Sequence, residues 1–106
     1  MTQKFRYEFY LPIQYNDKTP IEKYKFRSIK NKIKEKFKGI SVHPGTIDGE
    51  WININNKTSK DCLLKYEVCV DGSITNQLFF ETLKEELKKL FVQEEIYMVY
   101  TIINQV

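Results

Sequence analysis

The sequence predicts an α+β domain of ferredoxin-like type: a four-stranded antiparallel sheet with two helices on one face. Three observations predict it. Apolar patterns follow one another as β-α-β-β-α-β over 106 residues, which is the order of the split β-α-β unit. The strand segments alternate with period two, and the two intervening segments repeat at helical spacing. Turn residues stand between the segments.

Phe5, Tyr7, Phe9, Leu11, Ile13 and Tyr15 alternate with Lys4, Arg6, Glu8, Tyr10, Pro12 and Gln14. This reads as a long strand with one buried face. Pro12 has no N–H for a ladder and marks an edge, a bulge or the end of pairing. Asn16-Asp17-Lys18 is turn chemistry. Thr19-Pro20-Ile21-Glu22 reads as a capping box with proline at the first helical position. A first helix is expected from Pro20 to about Lys38, closed by Gly39, with Phe26, Ile29, Ile33 and Phe37 facing the sheet.

Ile40–His43 begins a second strand. Pro44-Gly45 and Asp48-Gly49 punctuate it, so a bend or bulge is expected before Glu50–Ile54. Asn55–Lys60 reads as a hairpin loop. Cys62–Val70 is the third strand, with Cys62, Leu64, Tyr66, Val68 and Val70 on one face and Lys65 and Glu67 on the other. Ser73 is the expected N-cap of a second helix running to about Phe91, with Phe80, Leu83, Leu87 and Phe91 in one stripe. Ile96–Ile103 is the last strand. It is apolar on both faces, which implies that its side away from the helices is covered.

Composition bounds the function. At 106 residues, 42 % apolar and 29 % charged, the chain is expected to form one folded domain. It has no apolar run of ~18 residues that would span a bilayer. Residues 1–10 carry Lys4, Arg6 and Glu8 where a signal peptide needs an apolar block, so the expected compartment is the cytoplasm. Cys62 and Cys69 lie seven apart in one strand, roughly 23 Å when extended, which excludes a disulfide between them. They are expected as buried or half-buried thiols. With one histidine and no Cys-x-x-Cys, no metal site is expected. No cofactor motif is present.

The charge is lopsided. Residues 1–60 hold 13 Lys and Arg against 6 Asp and Glu, and residues 61–106 hold 4 against 8. Lys23, Lys25, Arg27, Lys30, Lys32, Lys34, Lys36 and Lys38 crowd the first helix. Phosphate or nucleic-acid binding is one reading. The plainer one is a solvated face, because the lysines read as spread around the helix. The third strand, Leu63-Leu64-Lys65-Tyr66-Glu67, lacks the aromatic run of an RNA-recognition module.

His43, beside Pro44-Gly45, is a candidate general base; the plainer reading is a partly exposed loop residue. Glu67 is expected on the face opposite the helices, where burial would raise its pKa and suit it to acid–base work. Its plainer reading is a partner for Lys65 or Arg6. Glu94 and Glu95 project to opposite sides, and one of them can meet Trp51 or Tyr15 across the sheet. Trp51 and Tyr66 suit pocket walls. Tyr97, with Val99 and Ile103, would give an apolar open face, where a second copy or a ligand is expected.

Three segments are familiar together. They are Tyr7-Glu8-Phe9-Tyr10-Leu11-Pro12 with Tyr15-Asn16-Asp17 and Thr19-Pro20-Ile21; Phe37–Val42 followed by Gly49-Glu50-Trp51; and Phe91-Val92-Gln93-Glu94-Glu95-Ile96. They resemble a family of small uncharacterised bacterial proteins, and more loosely a secreted bacterial domain with a Phe-x-Gln-Glu-Ser signature. Val92 and Ile74 stand where that pattern has Gly and Pro. The resemblance implies one domain, points at Trp51, Gln93 and Glu94, and carries no activity.

The first function read from the sequence is a small cytoplasmic binding or regulatory module. It would be homodimeric, or meet a protein partner, through the open sheet face. Tyr15, Trp51, Tyr66, Gln93, Glu94 and Tyr97 are its binding candidates. The second is a small cofactor-free dimeric enzyme of isomerase or oxygenase type, with Glu67, His43 and Glu94 as acid–base candidates. The third is nucleic-acid or nucleotide binding through the basic helix.

Overall fold

The computed structural model describes residues 2–52 and 55–106. The elements are β1 (Thr2–Pro12), α1 (Lys23–Phe37), β2 (Ser41–Val42), β3 (Ile47–Ile52), β4 (Thr58–Val70), α2 (Ile74–Leu90) and β5 (Met98–Gln105). The strands form one antiparallel sheet in the order β2-β4-β1-β5, with β3 also paired to β4. This is an α+β fold with two helices and five strands, one strand more than expected.

The extra strand comes from residues 40–52. β2 pairs Ser41 and Val42 with Glu67 and Tyr66. β3 pairs Ile47 through Ile52 with Leu63 through Thr58. Between them Pro44 has no donor, and Gly45 turns at φ 80°, so the chain leaves the ladder and rejoins it. Asn53 and Ile54, expected at the end of this segment, lie outside the described residues.

α1 starts three residues later than the capping box predicts, and its N-cap Glu22 makes no side-chain cap. The Asp17 carboxylate instead accepts from the Thr19 N–H at 3.0 Å and the Thr19 hydroxyl at 2.6 Å. That Asx turn commits Thr19 to the loop. Gln14 then bridges to Pro20, and the Ile21 N–H donates to the Ile13 carbonyl at 3.0 Å. The helix ends at Phe37, with Lys38 in the left-handed position at φ 64° rather than Gly39. α2 follows its prediction closely. Ser73 accepts from the Asn76 N–H at 3.1 Å as its N-cap.

The core lies between the helices and one face of the sheet. Phe9, Leu11, Ile33, Leu87 and Phe91 are wholly buried. Phe9 stacks on Tyr66 at 5.2 Å, and Tyr7 on Phe80 at 3.8 Å. Both cysteines are exposed and free, contrary to the expectation of half-buried thiols, because Cys62 lies far out along β4 and Cys69 faces the side without helices.

β5 begins at Met98, two residues later than expected. Ile96 is buried, but its N–H is taken by the Glu95 carboxylate at 2.9 Å. On the helix side of β5, Tyr100 and Ile102 remain exposed. No helix among the described residues is long and apolar enough to cross a membrane.

α2 ends in a Schellman arrangement. Val92 N–H donates to Lys89 and Gln93 N–H to Lys88. Val92, the residue standing where the resembling pattern has glycine, holds φ 53°. A β-branched side chain is strained there. Val92→Gly is expected to raise stability by about 0.5–1 kcal/mol, the relief of strain less the entropy of glycine. Urea denaturation checks this; a lower midpoint would show the valine to be unstrained.

Candidate ligand site on the open sheet face

Cross-strand partners share a face. The register pairs Phe5, Tyr7, Phe9 and Leu11 with Val70, Val68, Tyr66 and Leu64, all toward the helices. Arg6, Glu8, Tyr10 and Pro12 therefore share the open face with Cys69, Glu67, Lys65 and Leu63.

The middle of that face is ionic rather than apolar. Arg6 Nε lies 3.2 Å from Glu8 and 3.5 Å from Glu67. Lys65 Nζ lies 3.6 Å from Glu8 and 4.0 Å from Glu67. His43 Nε2 is 3.0 Å from Glu67. The Arg6 Nε atom is buried and, among the described residues, lacks a hydrogen-bond partner; its attraction to both carboxylates is Coulombic without alignment. Burial pushes the Glu67 carboxyl up, but the His43 hydrogen bond and the charges of Lys65, His43 and Arg6 outweigh it and hold the group below its ordinary value. The expected rise of the Glu67 pKa is thus corrected, because cationic partners surround the half-buried carboxylate.

Toward the far ends of β3 and β4 the open face changes character. A groove of about 1070 Å³ opens there, bounded by the β3–β4 hairpin, the end of β1 and residues 93–97. Ile47, Gly49 and Trp51 pair with Leu63, Asp61 and Ser59, so β3 presents Trp51 to the groove. A Cβ at Gly49 would stand 2.8 Å from Leu63 Cδ1 and 3.4 Å from Trp51 Cζ3. Glycine there lets leucine and indole close over the strand. Tyr97 leans against Tyr10 across the other wall, with ring centroids 5.5 Å apart. Trp51 is 42 % exposed and Tyr97 63 %.

Of the acidic residues that bound the groove, Asp61, Glu94 and Glu95 stand with Lys18, whereas Asp48 and Glu50 pair with Cys62 and Lys60 and so share the other face of β3. Burial pushes the Asp61 carboxyl up, with Lys18 opposing. Glu95 is tied to Lys84 at 3.0 Å, and its carboxyl is lowered first by that hydrogen bond. The result is an aromatic groove with an acidic rim.

The sequence-derived candidates separate into four places. Trp51, Gln93, Glu94 and Tyr97 line the groove together. His43 and Glu67 belong to the ionic centre. Tyr66 is buried against Phe9 in the core. Tyr15 donates to Glu22 and accepts from Lys25, whose ammonium also caps the Leu90 carbonyl at 2.9 Å; it ties the loop after β1 to both helices. Tyr10, Gly49, Asp61 and Leu63 are groove residues that sequence reasoning did not single out. Period-two alternation could have found Tyr10 and Leu63. Asp61 and Gly49 needed the β3–β4 register.

No protein-family model matches this sequence, and no curated protein matches it. Among solved structures, the fold is similar to that of a phage SAM lyase in complex with S-methyl-5′-thioadenosine. The TM-score is 0.68 at 12 % identity, over 96 % of this chain and 90 % of that chain. At that identity the likeness concerns the fold alone.

The lowered Glu67 value sets a pH dependence. Its stabilising contribution is present above the ordinary glutamate value of about 4.3 and is lost as pH falls through the lower folded value. Glu67→Gln removes that contribution. The variant is expected to be less stable than the parent at neutral pH, with the two urea midpoints converging as the pH drops below about 4. Parallel curves over the whole range would mean that the ion cluster gives Glu67 no net stabilisation.

Proposed function

We propose that this chain binds a small organic cation with a planar ring, in the groove beside Trp51. The carrying observation is the pairing of aromatic walls with an excess of carboxylates. A ring can stack on Trp51 or Tyr97, and a cation is attracted both by their faces and by the acidic rim. A neutral or anionic ligand gains only the first contribution. The fold is read as a ferredoxin-like sheet whose outer strand is broken into β2 and β3, so that the broken half forms one groove wall.

The structural neighbour supplies the first compound to try. Its name says that it acts on SAM, S-adenosylmethionine, which joins an adenine ring to a sulfonium and an ammonium group. That chemistry belongs to the class the groove favours. An enzymatic role is the second reading, supported by Asp61, a carboxyl beside the ligand space whose pKa burial pushes up against the opposing charge of Lys18. Sheet-to-sheet pairing with a second copy is the less favourable use of this face. It would bury the Arg6–Glu8–Lys65–Glu67 cluster away from water, and desolvating such charges is costly.

Calorimetric titration with SAM, neutral S-methyl-5′-thioadenosine and adenosine tests the reading. SAM is expected to bind most tightly. Trp51→Ala is expected to weaken it roughly tenfold, in line with about 1–3 kcal/mol for one stacked base. Product analysis of the same mixtures reads turnover. Absence of SAM binding at millimolar concentration, or undiminished binding by the alanine variant, contradicts the assignment.

A further inference from the structure

Helix α1 sorts its cations into two sets that the sequence alone read as evenly spread. One set turns toward α2. Lys25 bonds the Leu90 carbonyl at 2.9 Å, Lys32 pairs with Glu86 at 2.6 Å, and Lys36 lies 5.0 Å over the Phe79 ring. At about 100° per residue these three fall within roughly 40° of one another. The other set is Lys23, Arg27, Lys30 and Lys34, spaced four, three and four apart. They fall within about 60° on the flank turned away from α2.

All four side chains are exposed. None has a carboxylate within ion-pair distance among the described residues, whereas Lys25 and Lys32 both do. Glu35 is the only acid within α1, and it lies about 100° round the helix from the stripe centre. The stripe is therefore an uncompensated row of positive charge on a rigid element.

We propose that α1 docks on the phosphate backbone of a nucleic-acid duplex through Lys23, Arg27, Lys30 and Lys34, without reading base sequence. Charge and spacing carry the assignment. The row spans about 16 Å of helix, and one strand of a duplex presents a phosphate about every 3.4 Å of axis. Four flexible cations can each reach a separate phosphate along such a strand. The apolar side of α1 is committed to the core through Ile29 and Ile33, so the helix has no free apolar face to bury in a bilayer. The acidic groove lies elsewhere, on the sheet side without helices, and the docking does not depend on its ligand.

Fluorescence anisotropy of the full chain with a labelled 20-base-pair DNA duplex, titrated at several salt concentrations, tests this. Four phosphate contacts predict a slope of log affinity against log salt of about −3 to −4. The variant K23Q/R27Q/K30Q/K34Q is expected to lose at least tenfold in affinity at low salt and most of the slope. Its fold is checked by circular dichroism. K4Q/K57Q/K88Q/K89Q removes the same net charge elsewhere and is expected to keep both.

No binding at 20 mM salt overturns the proposal. Equal losses in the two variants also overturn it, because net charge alone would then explain the affinity. Binding to phosphatidylserine vesicles but not to the duplex assigns the stripe to a lipid surface instead.

Discussion

The pairing of β1 with β4 is the constraint on which the rest depends. β1 is flanked on both sides, by β4 and β5. Its register sets Tyr7, Phe9 and Leu11 beside Val68, Tyr66 and Leu64. A slip of one residue would turn Arg6, Glu8 and Tyr10 into the core and expose the aromatic set. With the register held, α1 and α2 bury one face. The other face is left with the charged residues of both strands.

From that division follows an electrostatic partition of the molecule. The middle of the open face balances its own charges, since Arg6, Lys65 and His43 surround Glu8 and Glu67. Beyond it, where β4 continues past β1 and pairs with β3, the surface becomes aromatic and acidic around Trp51. The outer flank of α1 is basic and, among the described residues, has no acidic partner within ion-pair distance. Three surfaces of different chemistry thus arise from one sheet and one helix. On the readings proposed above, the groove takes a cation and the helix a polyanion, while the balanced centre takes neither.

Much of this architecture was legible in the residues. The alternation from Phe5 to Leu11 identified β1 and its buried face, and Phe80, Leu83 and Leu87 identified the core stripe of α2. Ser73 announced its own capping role. Thr19-Pro20-Ile21-Glu22 misled because a local competitor, the Asp17 carboxylate, captured Thr19 before the helix could. The broken outer strand was visible as Pro44-Gly45, but only pairing could tell a bend from two strands. The groove was half legible. Trp51, Gln93, Glu94 and Tyr97 stood out by type, while their meeting depends on long-range register. The apolar open face expected from β5 overlooked the opposing charges that β1 and β4 bring to the same side.

Backbone and indole NMR shifts during a SAM titration test the central claim, that the open face is divided and only its Trp51 end receives a ligand. The account predicts movement of the Trp51 indole signal and of the Gly49, Asp61 and Tyr97 amides, with Arg6, His43 and Glu67 unmoved. Shifts centred on His43 and Glu67, with Trp51 silent, would contradict it and place the ligand on the ionic centre.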